Sequence, residues 1–246
     1  MIESEVKGMP QKVIGILGGM GPAATGELFN RIVNNTVAKT DQEHVNMIII
    51  NDPQIPDRTN YILGKGESPL PRMINNIKKL YYAGAEVVII PCMTAHSFLE
   101  ELQKESPVPI VNAIELVESY FKSFYPSISK IGLLATTGSV KSGVYNKYIS
   151  KEIIVPDEDN QGKLMNTIYS ENGIKAGNTS KETTDEIITI INTLKEKNIE
   201  AVIAGCTELS LVLDDNNVRL PVIDPVLLLA KKAVELGNNC SILNVR

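Results

Sequence analysis

Val-Val-Ile-Ile-Pro-Cys at residues 87–92 and Ala-Val-Ile-Ala-Gly-Cys at residues 201–206 are two versions of one pattern, 114 positions apart. Each is an apolar run of strand length that ends in a cysteine, and active-site side chains of α/β folds emerge at the carboxyl ends of strands. The chain has 246 residues and only three cysteines. Cys92 and Cys206 thus hold equivalent places in its two halves, which suggests two thiols facing one substrate.

Outward from these runs, short apolar segments alternate with longer amphipathic ones, the pattern of strand and helix units around mostly parallel sheets. Strands are expected at 13–17, 47–51, 87–91 and 109–112 in the first half, and at 130–135, 153–155, 201–205 and 221–224 in the second. Ile and Leu at helical spacing in Leu70 to Tyr82 and Lys181 to Lys197 predict helices that cover the sheets. Lys12-Val-Ile-Gly-Ile-Leu-Gly18 resembles Lys130-Ile-Gly-Leu-Leu-Ala135, and Val108-Pro-Ile-Val-Asn112 resembles Leu220-Pro-Val-Ile-Asp224 at an offset of 112. Three landmarks at nearly constant offset argue for duplication; generic likeness among α/β strands is the competing reading. The expected fold is α/β, with two similar domains whose mostly parallel sheets are related by a pseudo-twofold axis and enclose a cleft. The first domain is expected at 1–112 plus 221–246, the second at 113–220. A last helix, Pro225 to Leu236, would return to the first.

Net charge is −5 and the pI about 5.2, with no Lys/Arg cluster able to track a phosphate backbone, which disfavours nucleic acid. No apolar run approaches the ~20 residues that cross a bilayer, so no membrane partner is expected. Met1 to Pro10 is mixed and acidic and lacks the apolar stretch of a secretory signal, and three cysteines do not make a disulfide framework. The expectation is a cytoplasmic protein with free thiols. With two histidines and no Cys-x-x-Cys or His-x-x-x-His spacing, no metal centre is expected. Cys240 has no counterpart and is read as incidental.

Two thiols on opposite walls suit a reaction that removes a proton from one face of a carbon and returns one to the other. A free cysteine starts near a pKa of ~8.5 and must be poised by neighbours or a helix N-terminus. The neighbours are Met93-Thr94-Ala95-His96 after Cys92 and Thr207-Glu208-Leu209 after Cys206. Thr94 and Thr207 are candidate donors to a carboxylate or thiolate. His96 and Glu208 are candidate supporting residues, each weighed against a bland role: a packing histidine, and a first-turn carboxylate favoured by the helix dipole.

Gly15-Ile-Leu-Gly-Gly-Met-Gly-Pro-Ala-Ala-Thr25, Pro91-Cys-Met-Thr-Ala-His96 and Gly205-Cys-Thr-Glu-Leu209 together resemble the aspartate/glutamate racemase family, over nearly the whole chain and in order. The resemblance is greatest to aspartate racemases, with broad-specificity amino-acid racemases close behind. It implies a racemase that works without pyridoxal phosphate or another cofactor on a small acidic amino acid or related carboxylate, with one cysteine on each side of the α-carbon, and a homodimer. By the same resemblance Arg58, in the turn Asp57-Arg58-Thr59, is a binder of the side-chain carboxylate, and Lys175, in Gly173-Ile-Lys-Ala-Gly177, a second carboxylate binder. Thr136 and Thr137 would offer hydroxyl and N–H donors, with Met20 on the equivalent first-half loop. One position departs from the family. Met93 stands where the family has Asn, replacing an amide able to hydrogen-bond substrate with an apolar thioether, which predicts altered or reduced activity on aspartate.

Other classes compete. Gly19-Met-Gly-Pro-Ala-Ala24 after a strand loosely matches a dinucleotide fingerprint, with Asp52 as the nearest acidic residue, though it explains neither cysteine. A non-catalytic carboxylate-binding protein is a further alternative. So is an isomerase or decarboxylase, since maleate isomerases and arylmalonate decarboxylases share this fold.

Overall fold

A computed structural model describes residues 11–238, so Met1 to Pro10 and Cys240 lie outside the described residues. Three strands, β1 (Ile14–Gly18), β2 (Met47–Asn51) and β3 (Val87–Ile89), form a parallel sheet in the order β2-β1-β3. A single bridge from Val88 to Ile110 extends it at the β3 edge. Four more, β4 (Lys130–Leu134), β5 (Glu152–Ile154), β6 (Ala201–Ala204) and β7 (Val222–Ile223), form a second parallel sheet in the order β5-β4-β6-β7. The sheets repeat one topology, with the Val88–Ile110 bridge matched by the Val202–Val222 pair.

The helix Leu70–Tyr82 has the bounds its periodicity predicts, whereas Lys181–Lys195 stops two residues short of Lys197, ahead of Asn198 in the left-handed region at φ 61°. Equivalent helices begin in equivalent ways. The Asn112 side chain accepts from the N–H groups of Ile114 and Glu115, and Asp224 accepts from those of Val226 and Leu227. Each cap satisfies otherwise orphaned donors and contributes about 1 kcal/mol.

The core has three layers of contact. Leu17, Met73, Ile77, Leu80 and Val88 bury the outer face of the first sheet, and Leu164, Ile168, Ile187, Leu194 and Val202 that of the second. Between the sheets runs one continuous cluster that joins Ile16 and Ile89 to Leu133 and Ile203 through the helices Pro22–Asn35, Ala113–Phe124 and Pro225–Asn238. The last helix packs against both Pro22–Asn35 and Ala113–Phe124. One expectation changes: Val222–Ile223 pairs with β6, so the second sheet runs past position 220, where the sequence placed a boundary. Both sheets direct their carboxyl ends to one seam, where the chain leaves β3 for Cys92 and β6 for Cys206.

Candidate active site

Cys92 and Cys206 are both free and buried, at 5 % and 6 % exposure, and both border a single enclosed space at the seam. The open volume there is about 10 Å³, room for about one water molecule. Anything larger than a water needs the walls to part.

On the first wall, Asp57 caps the short helix Arg58–Ile62 by accepting from Asn60 N–H at 2.7 Å, and this turn carries Arg58 inward. The guanidinium donates to the carbonyls of Met20 at 3.2 Å, Pro56 at 3.1 Å and Ile55 at 3.3 Å. Its buried Nε–H has no protein partner, a free donor in a site that also holds Cys92. Burial works against the Arg58 charge, but interactions with Cys92 and Asp57 more than compensate, so the group stays cationic. Met20 follows Gly19, whose φ of 94° and closeness to the Asp52 backbone leave no room for a Cβ.

On the second wall, Cys206 Sγ donates to Glu208 Oε2 at 2.9 Å, Thr207 Oγ1 donates to the same oxygen at 2.9 Å, and Lys175 Nζ donates to Oε1 at 2.5 Å. Lys175 rides a single turn, Ile174–Ala176, pinned by buried Ile174 and ended by Gly177 at φ 96°. Burial pushes the Cys206 thiol well above its ordinary pKa, and the Glu208 charge adds to the rise while Lys175 opposes it. Burial also favours a neutral Glu208, but the Lys175 ammonium and the hydrogen bonds from Cys206 and Lys175 prevail and hold its carboxyl below the usual range.

The sequence candidates divide into those the structure gathers and those it does not. Thr94 and Thr136 line the space with their hydroxyls 3.0 Å apart, and Met93, 1 % exposed, reaches from it into the central core. Thr137 points elsewhere: its hydroxyl accepts from Gln161 Nε2 and its N–H faces Met165 Sδ. The reason is position, since Thr136 is the N-cap of the helix Thr137–Ser142 and Thr137 is its first helical residue, already turned from the strand direction. His96 does not touch the Cys92 thiol. Its Nε2 accepts from Ala113 N–H at 3.1 Å, which leaves Nδ1 protonated to donate to the Cys92 carbonyl at 3.0 Å. Burial pushes its pKa down to about 4, so the ring is neutral and ties the Cys92 backbone to the start of the helix Ala113–Phe124.

Two tyrosines complete the surroundings. Tyr169, which the sequence reading missed, lines the space and lies beneath Lys175, whose Nζ is 5.1 Å from the ring centroid. Tyr145, fully buried, donates to the Gly205 carbonyl at 3.1 Å, one residue before Cys206. Burial raises both phenols above their ordinary pKa, and they stay protonated.

A dinucleotide reading fits poorly. Asp52 is taken by Arg72 at 2.6 Å and Asn76 at 2.6 Å, and a Cβ at Gly21 would lie 3.5 Å from Glu208 Oε1. The glycine loop faces the Glu208 carboxylate of the other half, a group of the same charge as a pyrophosphate. Among the described residues no cluster of three or more His, Cys, Asp or Glu could hold a metal ion, and no helix is long and apolar enough to cross a membrane.

Residues 17–233 match the family model described as Asp/Glu/Hydantoin racemase. The chain is 28 % identical to the broad specificity amino-acid racemase RacX of Bacillus subtilis over 229 residues, covering 90 % of this chain and 96 % of that protein. Among solved structures, an aspartate racemase from Picrophilus torridus superposes with a TM-score of 0.78 at 31 % identity, covering 91 % of this chain and 93 % of the other. An aspartate racemase homologue from Pyrococcus horikoshii gives a TM-score of 0.72 at 25 % identity, covering 92 % and 99 %.

Proposed function

The chain belongs to the Asp/Glu/hydantoin racemase family, and on that premise we propose that it interconverts L- and D-aspartate, or a closely related acidic amino acid, by passing protons through Cys92 and Cys206. The observation that carries this reading is that two free thiols from equivalent strand ends border one enclosed space together with Arg58 and Lys175. One thiolate removes the α-proton from one face while the opposite thiol delivers its own proton to the other. The two exchange roles with the handedness of the substrate. Arg58 and Lys175 hold carboxylates, and the unpartnered Nε–H of Arg58 is a donor ready for one. Thr94, Thr136 and Thr207 supply hydroxyls to the α-carboxylate as it takes up carbanion charge. Proton transfer between thiols and a carbon acid draws on no pyridoxal phosphate.

Likeness to an aspartate racemase favours aspartate, and the apolar Met93 with the likeness to a broad-specificity enzyme favours a wider range as the second reading. The units that part for substrate are residues 11–112 with 225–238, and 113–224. A homodimer and a reducing cytoplasmic setting complete the reading.

The test is incubation with L- and D-aspartate in deuterated water, following α-deuterium by NMR and enantiomer ratio by chiral chromatography, with glutamate and neutral amino acids in parallel. Racemisation with deuterium entering the product is expected for aspartate. No exchange with any amino acid would overturn the reading. Cys92→Ser and Cys206→Ser should each abolish racemisation while leaving exchange from one enantiomer. Full racemisation in either would show that the thiols are not the bases.

A further inference from the structure

The two cations of the site stand in different relations to the two thiols. Arg58 borders the same space as Cys92 with no carboxylate bonded to it, whereas a carboxylate lies between Lys175 and Cys206. Glu208 receives the Lys175 ammonium at one oxygen and the Cys206 thiol at the other. At 3 % exposure it is shut away from bulk water, while the Lys175 side chain is 22 % exposed. We propose that Glu208 is the proton acceptor that turns Cys206 into a thiolate, and that Lys175 times the transfer by leaving Glu208 for the side-chain carboxylate of an acidic substrate. This rests on the racemase reading above and adds that an acidic substrate arms its own base.

The physical argument is one of competing charges. With the ammonium 2.5 Å away, Glu208 is held as the anion and Cys206 as the thiol that donates to it. When a substrate carboxylate draws the ammonium off, the buried carboxylate loses the cation bonded to it and its affinity for a proton rises. The Cys206 thiolate loses support as well, but less, because Lys175 is bonded to Glu208 Oε1 and not to the sulfur. The nearest proton is the one already in the Cys206 hydrogen bond. The Tyr169 ring under Lys175 gives the ammonium a surface to move across that carries no competing charge, because its phenol stays protonated. In this arrangement Arg58 and the threonines take the α-carboxylate, the reverse of the Arg58 role that the resemblance implies, so a neutral amino acid brings no second carboxylate to draw Lys175 away.

The protons balance. At rest Cys92 and Cys206 are thiols and Glu208 is ionised. Transfer gives a Cys206 thiolate and a Glu208 carboxylic acid, with no change in total charge. The thiolate takes the substrate α-proton and Cys92 gives its own to the opposite face, leaving a Cys92 thiolate. On product release Lys175 returns to Glu208, whose proton passes through water to Cys92 and restores the starting state.

The test uses the full chain. In a Cys92→Ser background, thiolate absorbance near 240 nm and the protonated-carboxyl band in difference infrared are recorded with 2-methylaspartate, which is acidic and lacks an α-hydrogen, and with neutral 2-aminoisobutyrate. Both signals are expected to rise together with 2-methylaspartate, and neither with 2-aminoisobutyrate or after Glu208→Gln. In the otherwise unaltered chain, Glu208→Gln should lower kcat for aspartate by about 100-fold or more with KM little changed. Glu208→Asp should recover part of that loss, and α-proton exchange in Glu208→Gln should fall from both enantiomers, because the cycle run in reverse returns the Cys92 proton to Glu208. Thiolate without the carboxyl band, an equal response to both ligands, or full kcat in Glu208→Gln would overturn the proposal. An unaltered chain that racemises no acidic amino acid would overturn the racemase reading instead.

Discussion

Thr94 Oγ1, from the first half, lies 3.0 Å from Thr136 Oγ1, from the second, and Ser139 Oγ closes a triangle with them at 3.0 and 3.1 Å. Three buried hydroxyls therefore bind the seam where the two halves meet. Thr136 also accepts from Ser139 N–H as a helix cap. Thr136→Val removes both contributions at once, and we expect a stability loss of about 1–2 kcal/mol in urea denaturation together with a fall in kcat/KM. Ser139→Ala, which keeps both threonines, should cost about 1 kcal/mol and change kcat/KM less. Equal kinetic effects from the two would mean that the triangle holds the seam and takes no part in binding.

Arg58→Lys separates charge from geometry. Lysine keeps the positive charge but offers a point donor in place of a planar fork. It cannot reproduce three carbonyl contacts and a spare Nε–H at once. A lost charge-assisted hydrogen bond is worth about 1.5–3 kcal/mol, so KM for aspartate should rise at least tenfold while kcat falls less. Steady-state kinetics check this, and an unchanged KM would remove Arg58 from substrate binding.

How much of this was legible beforehand follows from the range of the interactions. The paired cysteines could be read because each closes an apolar run, and Leu70–Tyr82 because its spacing is set along the helix itself. Tyr169 could not. Its place beside Cys206 depends on how the loop through Lys175 folds back, and no local pattern encodes that. The partners of His96 were hidden for the same reason, since Ala113 lies 17 residues away. In sequence Thr137 is indistinguishable from Thr136, since both follow the end of a strand. A helix that begins between them sends the second side chain to Gln161.

Met93→Asn should raise kcat/KM for aspartate by restoring an amide beside Cys92. The structure adds a cost, because Met93 is 1 % exposed and packs into the core between the sheets. Burying an amide without full partners costs about 1–3 kcal/mol on mutational scales, so the variant should melt lower while turning over faster. Calorimetry and racemisation assays on one preparation test both. Loss of stability without gain in rate or change in substrate preference would mean that Met93 serves packing alone.

His96→Gln isolates the pH dependence of stability. Burial holds the His96 pKa at about 4 against an ordinary 6.5, so the folded protein resists a proton that the unfolded chain accepts. For a group depressed in this way, stability is fully present above about pH 6.5 and is lost as pH falls towards 4. By linkage the loss between pH 7 and pH 5 is about 2 kcal/mol. A glutamine amide can donate to the Cys92 carbonyl and accept from Ala113 N–H, keeping both contacts without titrating. We therefore expect His96→Gln to be less stable than the parent at pH 7 by no more than about 1 kcal/mol, and to lose about 2 kcal/mol less than the parent on going to pH 5. Urea denaturation at the two pH values measures the difference. Parallel losses in both proteins would assign the acid sensitivity to other groups and leave His96 as packing only.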